Sequence, residues 1–126
     1  PRTGKGGRRE HYIYVQEIVK VAEEFRVITV GQEVILAYKK TSSQLLKHVW
    51  RGAKVSFDVD PRVKDLVLEW NKKLKLDWCG WDLVSDDNDR LLLLELNPVF
   101  GTKVLEQQGF NLADYLVEHL EQQIKE

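Results

Sequence analysis

The sequence has a single cysteine, Cys79, so no disulfide can form within the chain. Set beside Trp78 and Trp81, that thiol reads as an inert core residue, and a reducing cytoplasm is the expected compartment. Histidine is almost as scarce. His48 has neither a cysteine nor another histidine near it in sequence, which leaves no zinc-ligand spacing. Excess charge of either sign is missing too. Lys and Arg number 19 against 20 Asp and Glu, a formal net charge of −1, so there is no global electrostatic case for nucleic acid or an acidic membrane. No apolar run is long enough to span a bilayer, and no signal-peptide pattern is visible. No internal repeat occurs, and no residue reads as a covalent nucleophile.

What the chain does have is 43% hydrophobic residues beside 31% charged ones, enough for one domain with its own core. It is organised around Gly80-Trp81-Asp82 and the run Leu91-Leu92-Leu93-Leu94-Glu95-Leu96-Asn97-Pro98. Four consecutive leucines cut off by Glu-x-Asn read as a buried strand ending in a polar site. Side chains alternate faces along a strand, so Glu95 and Asn97 share a face with Leu93. Asp82 lies in the preceding apolar strand, residues 78–84, on the face of Gly80 and Val84. If Asn88-Asp89 is a two-residue turn, Asp82 falls opposite Glu95 and Gly80 opposite Asn97. Cross-strand partners hold their Cβ atoms about 4.5–5.5 Å apart. Two carboxylates and an amide oxygen then crowd one rim, and like charges placed so are unfavourable unless neutralised. A divalent cation that prefers hard oxygen ligands, magnesium or manganese, is one answer. A hairpin with its polar ends in water is the other, and the spacing leaves both open. The acidic loop, residues 86–89, lacks the glycine and terminal glutamate of a calcium-binding EF-hand.

Residues 1–10 carry Gly4, Gly6 and Gly7 among Arg2, Lys5, Arg8 and Arg9. Such backbone can wrap phosphates through its N–H groups or form a flexible basic terminus. It is no P-loop, because the Gly-Lys-Ser/Thr ending is missing. Residues 11–126 read as one domain. Residues 12–19 are β-rich and predict a strand ending at Lys20. Residues 24–30 and 34–40 predict a hairpin across a Gly31-Gln32 turn. Alternation gives Glu24 and Arg26 one parity, groups Lys40 with Val34, Leu36 and Tyr38, and turns Lys39 to the other face. Residues 41–57 predict a loop in which His48, Trp50, Arg51 and Gly52 stand out. Asp60 as N-cap and Pro61 in the first turn open a helix whose buried face is Val63, Leu66, Val67, Trp70 and Leu74. Residues 98–110 predict a loop closing at Gly109. Asn111 then caps a last helix with Leu112, Tyr115, Leu116, Leu120 and Ile124 inward. The order strand, hairpin, helix, hairpin, helix predicts an α+β fold, with helices covering one face of a largely antiparallel sheet.

Val15-Gln16-Glu17-Ile18, Glu24-Phe25-Arg26-Val27, Lys39-Lys40, Gly80-Trp81-Asp82 and Glu95-Leu96-Asn97, in that order, resemble the ATP-grasp superfamily. The spacing is most similar to the C-terminal half of RimK-type glutamate ligases and glutathione synthetases. Gly109-Phe110-Asn111-Leu112-Ala113, opening the last helix, resembles the same group. The likeness runs from Tyr12 to the end. Where the family tends toward Asn-x-x-Pro-Gly, this chain has Asn97-Pro98-Val99-Phe100-Gly101.

The resemblance implies roles. Gln16, Glu17, Ile18 and Val19 correspond to an adenine hinge, with Glu24 flanking the nucleotide and Lys39 beside it. Arg26 and Lys40 correspond to the cations that meet the phosphates and the developing acyl phosphate. Asp82, Glu95 and Asn97 correspond to ligands of Mg2+ or Mn2+. His48 and Arg51 fall where the family has Asn-x-x-Arg-Gly, and are candidates for the second substrate. The implied activity is that of part of an ATP-dependent carboxylate–amine ligase acting through an acyl phosphate. Its partners are ATP, a small-molecule or peptide carboxylate, an amine, the missing N-terminal part of the same enzyme and, in an oligomer, further copies. A non-catalytic ATP-binding module of the same fold is the alternative. A basic-tail nucleic-acid binder ranks below both, since the net charge and the lack of aromatics in the tail argue against it. No membrane partner is expected.

Overall fold

The computed structural model describes residue 13, residues 15–41 and residues 54–125. Residues 1–10, His48 and Arg51 lie outside the described residues. The described elements run β1 (Val21–Val30), β2 (Glu33–Thr41), β3 (Lys54–Ser56), α1 (Pro61–Leu74), β4 (Trp78–Asp86), β5 (Leu91–Asn97), α2 (Lys103–Gln107) and α3 (Leu112–Lys125). The strands form one sheet in the order β3-β2-β1-β4-β5, and each neighbouring pair is antiparallel. The α+β class and the antiparallel sheet expected from the element order are those the chain adopts.

β1 and β2 turn at Gly31-Gln32, where Gly31 takes a φ of 56°, a conformation costly for any residue with a Cβ. Their register slips once. Thr29 pairs with Val34 but Ile28 pairs with Leu36, so Ile35 is an extra residue. The slip moves Val34 off the face of Leu36 and Tyr38. Val34 packs with the Val27 cluster, whereas Leu36 and Tyr38 join the Ile28 cluster. A strictly alternating strand groups all three, and the bulge is what separates them.

α1 covers one face. Asp60 caps it, its carboxylate accepting from the Arg62 backbone N–H at 2.9 Å, and Pro61 occupies the first turn. Val63 and Val67 are fully buried against Phe25, Val27, Cys79, Trp81 and Leu83. Trp70 stacks on Trp81 with ring centroids 6.1 Å apart. The buried Trp81 indole N–H donates to Thr29 Oγ1 at 2.9 Å, so the largest core side chain leaves no orphan donor. Leu74, expected inward, is 52% exposed, and Asn71 is the buried residue of that last stretch. Its side-chain amide donates to the Gly31 carbonyl, tying α1 to the β1–β2 turn.

Among the described residues, the opposite face is covered at one end. There Ile28, Val30 and Leu36 meet Leu105 of α2, with Leu112, Tyr115 and Leu116 of α3 packed around them. α2 interrupts the segment expected to be all loop. On α3, Leu120 at 43% and Ile124 at 83% stay exposed, contrary to the inward stripe. The packed apolar residues of the helix stop at Leu116, and further along it is held by polar bonds from His119 and Gln123 to Asp77. Residues 15–20 form no strand, and β1 begins at Val21. Val15 and Ile18 are about nine-tenths exposed, and a β-rich stretch without a paired neighbour gains nothing from its propensity. The leucine run is an edge strand and not a buried one, with Leu94 62% exposed.

Candidate functional site

The second face carries the chemistry away from its closed end. Across β2, β1, β4 and β5 the pairings set side chains in rows. Lys40, Glu24 and Val84 form one, Tyr38, Arg26, Asp82 and Glu95 the next, and Leu36, Ile28, Gly80 and Asn97 a third. Asp82 opposite Glu95 and Gly80 opposite Asn97 are the partnerships that the sequence spacing predicts. They arise by another route. The loop is Asp87-Asn88-Asp89, closed by the Asp86 N–H donating to the Arg90 carbonyl at 3.0 Å, with Asp89 left-handed at φ 59°. A three-residue loop shifts the register by one, and the extra residue Leu94 in β5 shifts it back before Glu95.

Arg26 and Asp82 dominate the middle row. Arg26 Nε donates to Asp82 Oδ1 at 2.6 Å and its terminal nitrogen to Oδ2 at 3.0 Å, a bidentate fork. The two side chains are 17% and 21% exposed, so water screens this pair only partly. Tyr38, the cross-strand neighbour of Arg26, is buried, and burial pushes its hydroxyl pKa up, with the Arg26 charge pulling the other way. Gly80 makes room beside them. A Cβ there would stand 2.9 Å from Phe100 Cβ and 3.2 Å from an Arg26 guanidinium nitrogen. Phe100 and the guanidinium therefore share a notch that only glycine leaves open. Phe100 and Tyr38 are site residues that motif spacing does not single out. The missing Cβ of Gly80 inside a motif is the one sequence signal of a close approach there.

Lys40 pairs across the strands with Glu24, and a cavity of about 170 Å³ is lined by Glu24, Lys40, Asp82, Leu94 and Glu95 among others. A larger cavity, about 380 Å³, lies by α2 and the start of α3 around Thr102, Leu105, Phe110 and Asn111, and holds none of the expected site residues. Lys39 stands apart. It pairs with Phe25 on the α1 side of the sheet and makes an ion pair with Glu23 at 3.2 Å. Gln16, Glu17 and Ile18 are exposed and Val19 half-buried, in chain leading into β1 without regular structure. The structure thus brings together Glu24, Arg26, Lys40, Asp82, Glu95 and Asn97, and not Lys39.

The donor set suits a hard divalent cation in kind. Asp82, Glu95 and Asn97 offer only oxygens from one face. A carboxylate has about four lone-pair positions, so the Arg26 fork leaves Asp82 with further acceptor capacity. The Asn97 amide oxygen already accepts the Val99 backbone N–H at 3.0 Å, which fixes its orientation at the end of β5. Among the described residues no three His, Cys, Asp or Glu side chains form a cluster able to hold an ion. A protein site here needs the Asn97 amide as third donor, with water or phosphate oxygens completing the shell.

Comparison with known proteins gives the family. The probable alpha-L-glutamate ligase of Marinomonas sp. (strain MWYL1) is 29% identical over 115 residues, which are 86% of this chain and 38% of that protein. The macrocyclase MdnC from Microcystis aeruginosa MRC, solved with the precursor peptide MdnA, is 26% identical with a TM-score of 0.54, over 71% of this chain and 29% of MdnC. The ATP-grasp ligase PsnB, solved with a minimal precursor, Mg and ADP, shares the fold at a TM-score of 0.61 and 20% identity, over 82% of this chain and 35% of PsnB. The chain spans well under half the length of these relatives. The profile of the RimK-like ATP-grasp domain matches residues 6–120, so the chain belongs to the RimK-like ATP-grasp family.

Proposed function

We propose that this chain is the C-terminal nucleotide- and metal-binding part of an ATP-dependent carboxylate–amine ligase. The observation that carries the proposal is the cross-strand pairing of Asp82 with Glu95, beside Asn97 and on the face of Arg26 and Lys40. Family membership, and similarity to a probable alpha-L-glutamate ligase, support the same chemistry. In this assignment Asp82, Glu95 and Asn97 hold Mg2+ or Mn2+. The ion, when bound, neutralises charge on the phosphate oxygens. Arg26 and Lys40 supply fixed positive charge toward the phosphates. Gln16, Glu17, Ile18 and Val19 meet the adenine, with Glu24 next to the nucleotide. His48 and Arg51 serve the second substrate.

The reaction proposed has two displacements. A substrate carboxylate oxygen bonds to the γ-phosphorus of ATP, and the bond to the bridging oxygen breaks with release of ADP. An amine nitrogen then bonds to the acyl carbon, the carbon–oxygen bond to phosphate breaks, and the nitrogen gives up a proton to the departing phosphate or to water, leaving an amide. Both steps move negative charge between oxygens, and positioned cations stabilise this without any covalent role for the protein. The carboxylate is a small molecule or a peptide. The N-terminal part of the same protein completes the site, and the compartment is the cytoplasm. Among the described residues no helix is long and apolar enough to cross a membrane.

Calorimetry tests the assignment. Asp82→Asn or Glu95→Gln is expected to weaken binding of magnesium-ATP at least about tenfold, the scale of one lost charged contact. Adenosine binding without magnesium should change little. Equal loss of both ligands makes the two residues structural and removes the metal site. Lys40→Ala should lower turnover of a full-length protein while adenosine binding persists; unchanged turnover takes Lys40 out of the phosphate site.

A further inference from the structure

We propose that Arg26 is the resident counter-cation of the Asp82–Glu95 site, holding Asp82 while no metal is bound and released to the nucleotide phosphates when a metal arrives. The inference rests on the metal assignment above and adds an order of events to it.

The rows on the sheet supply the reason. Asp82 and Glu95 are direct cross-strand partners, an arrangement that costs free energy when nothing offsets the like charges. The arginine fork offsets it. Arg26 is the cross-strand partner of Asp82 on the other side, so one cation and two carboxylates lie side by side and leave one negative charge in excess. A triphosphate is repelled by that balance. A divalent cation turns it to one positive charge in excess, and the guanidinium becomes surplus next to a carboxylate that the ion now neutralises. A planar five-donor cation freed there is suited to phosphate oxygens. The fork takes one lone pair of each Asp82 oxygen, so a metal at Asp82 draws on a carboxylate that the guanidinium already holds.

Gly80 puts no side chain of its own next to the guanidinium, and Phe100 shares that notch with it. Glu24 is paired across the strands with Lys40, so the neighbouring row offers no competing surplus charge.

The test is made on the full-length protein with two readouts that do not depend on turnover. The first is Mn2+ titration by electron paramagnetic resonance without nucleotide. Arg26→Gln is expected to bind Mn2+ about fivefold or more tightly than the unmodified chain, the lower range of ordinary coupling between sites. Arg26→Lys, which keeps the charge but loses the fork, should lie between them. The gain should vanish in Arg26→Gln/Asp82→Asn. The second readout uses no substitution. In the unmodified chain the Arg26 Nε–H resonance, held by Asp82, should move and lose its protection from exchange as Mg2+ and a non-hydrolysable ATP analogue are added together. Equal or weaker Mn2+ binding by Arg26→Gln, or an Nε–H signal unmoved at saturation, overturns the inference. If Asp82-dependent metal binding is still seen with nucleotide, the metal site stands and only the exchange is lost. If no variant shows Asp82-dependent binding under any condition, the metal assignment falls together with it.

Discussion

Gly80 is the residue on which the geometry of the site turns. Its neighbours Trp81 and Asp82 point to opposite faces, one into the core and one into the site, and Gly80 leaves the gap that Phe100 and the Arg26 guanidinium occupy. Gly80→Ala should cost about 1–3 kcal/mol of stability, the range for overpacking a filled space. Phe100→Gly removes the Cβ that the new methyl meets, and should recover part of that loss in the double variant. Additive losses, measured by denaturant unfolding, would mean that the two positions do not share the notch. Motif spacing makes Asp82, Glu95 and Asn97 legible in the sequence, because carboxylates and amides at strand period share a face. It does not show Phe100 or Tyr38, whose importance lies in contacts across the chain.

At the scale of elements, the β4–β5 loop is fixed by a side chain that reaches back into it. Asp86 accepts from the backbone N–H groups of Asn88 and Arg90 at 3.0 and 2.8 Å and from Arg90 Nε at 2.6 Å. Those bonds, the Arg90 backbone first, hold the Asp86 carboxyl below its ordinary pKa. A depressed folded pKa contributes stability that is complete above the unfolded value and is lost as the pH falls through the folded one. Asp86→Asn should therefore shrink the drop in melting temperature between about pH 5 and about pH 2. An unchanged drop would assign acid sensitivity elsewhere. Asp77 is lowered in the same sense by His119 and then Gln123, which anchor α3 beside the β1–β2 turn. There a Cβ on Gly31 would stand 2.7 Å from His119 Nδ1. Gly31→Ala should cost at least about 1 kcal/mol from the left-handed backbone alone. His119→Ala should remove the clash but not the backbone strain. Element types were largely legible because caps, turns and periodicity are local. The faults lie where partners decide: residues 15–19 belong to a stretch with the composition of a strand, yet β1 starts at Val21, and the apolar line of α3 runs on to Leu120 and Ile124, which stay exposed. The β4–β5 register came out as expected through two offsetting irregularities, a longer loop and a bulge, neither of which alternation alone can show.

For the whole molecule, the sheet divides labour between its faces. One face is core, with Val27, Val63, Val67 and Trp81 wholly buried, and it stiffens the strands whose other face presents Arg26 and Asp82. Trp81→Ala should cost about 3–5 kcal/mol, and because Trp81 sits between Gly80 and Asp82 it should weaken metal-dependent nucleotide binding as well. A loss of stability with binding unchanged would show the two faces to be independent. The chain covers 38% of the probable alpha-L-glutamate ligase it is similar to, and under the proposed assignment the ion site is complete within these strands. The most direct measurement is a crystal structure of the full-length protein with magnesium and a non-hydrolysable ATP analogue. The account predicts magnesium about 2.0–2.1 Å from oxygens of Asp82, Glu95 and Asn97 and bound to phosphate oxygens, with Arg26 turned from Asp82 to the nucleotide. Magnesium held elsewhere, with Asp82 and Glu95 contacting neither ion nor nucleotide, would contradict it.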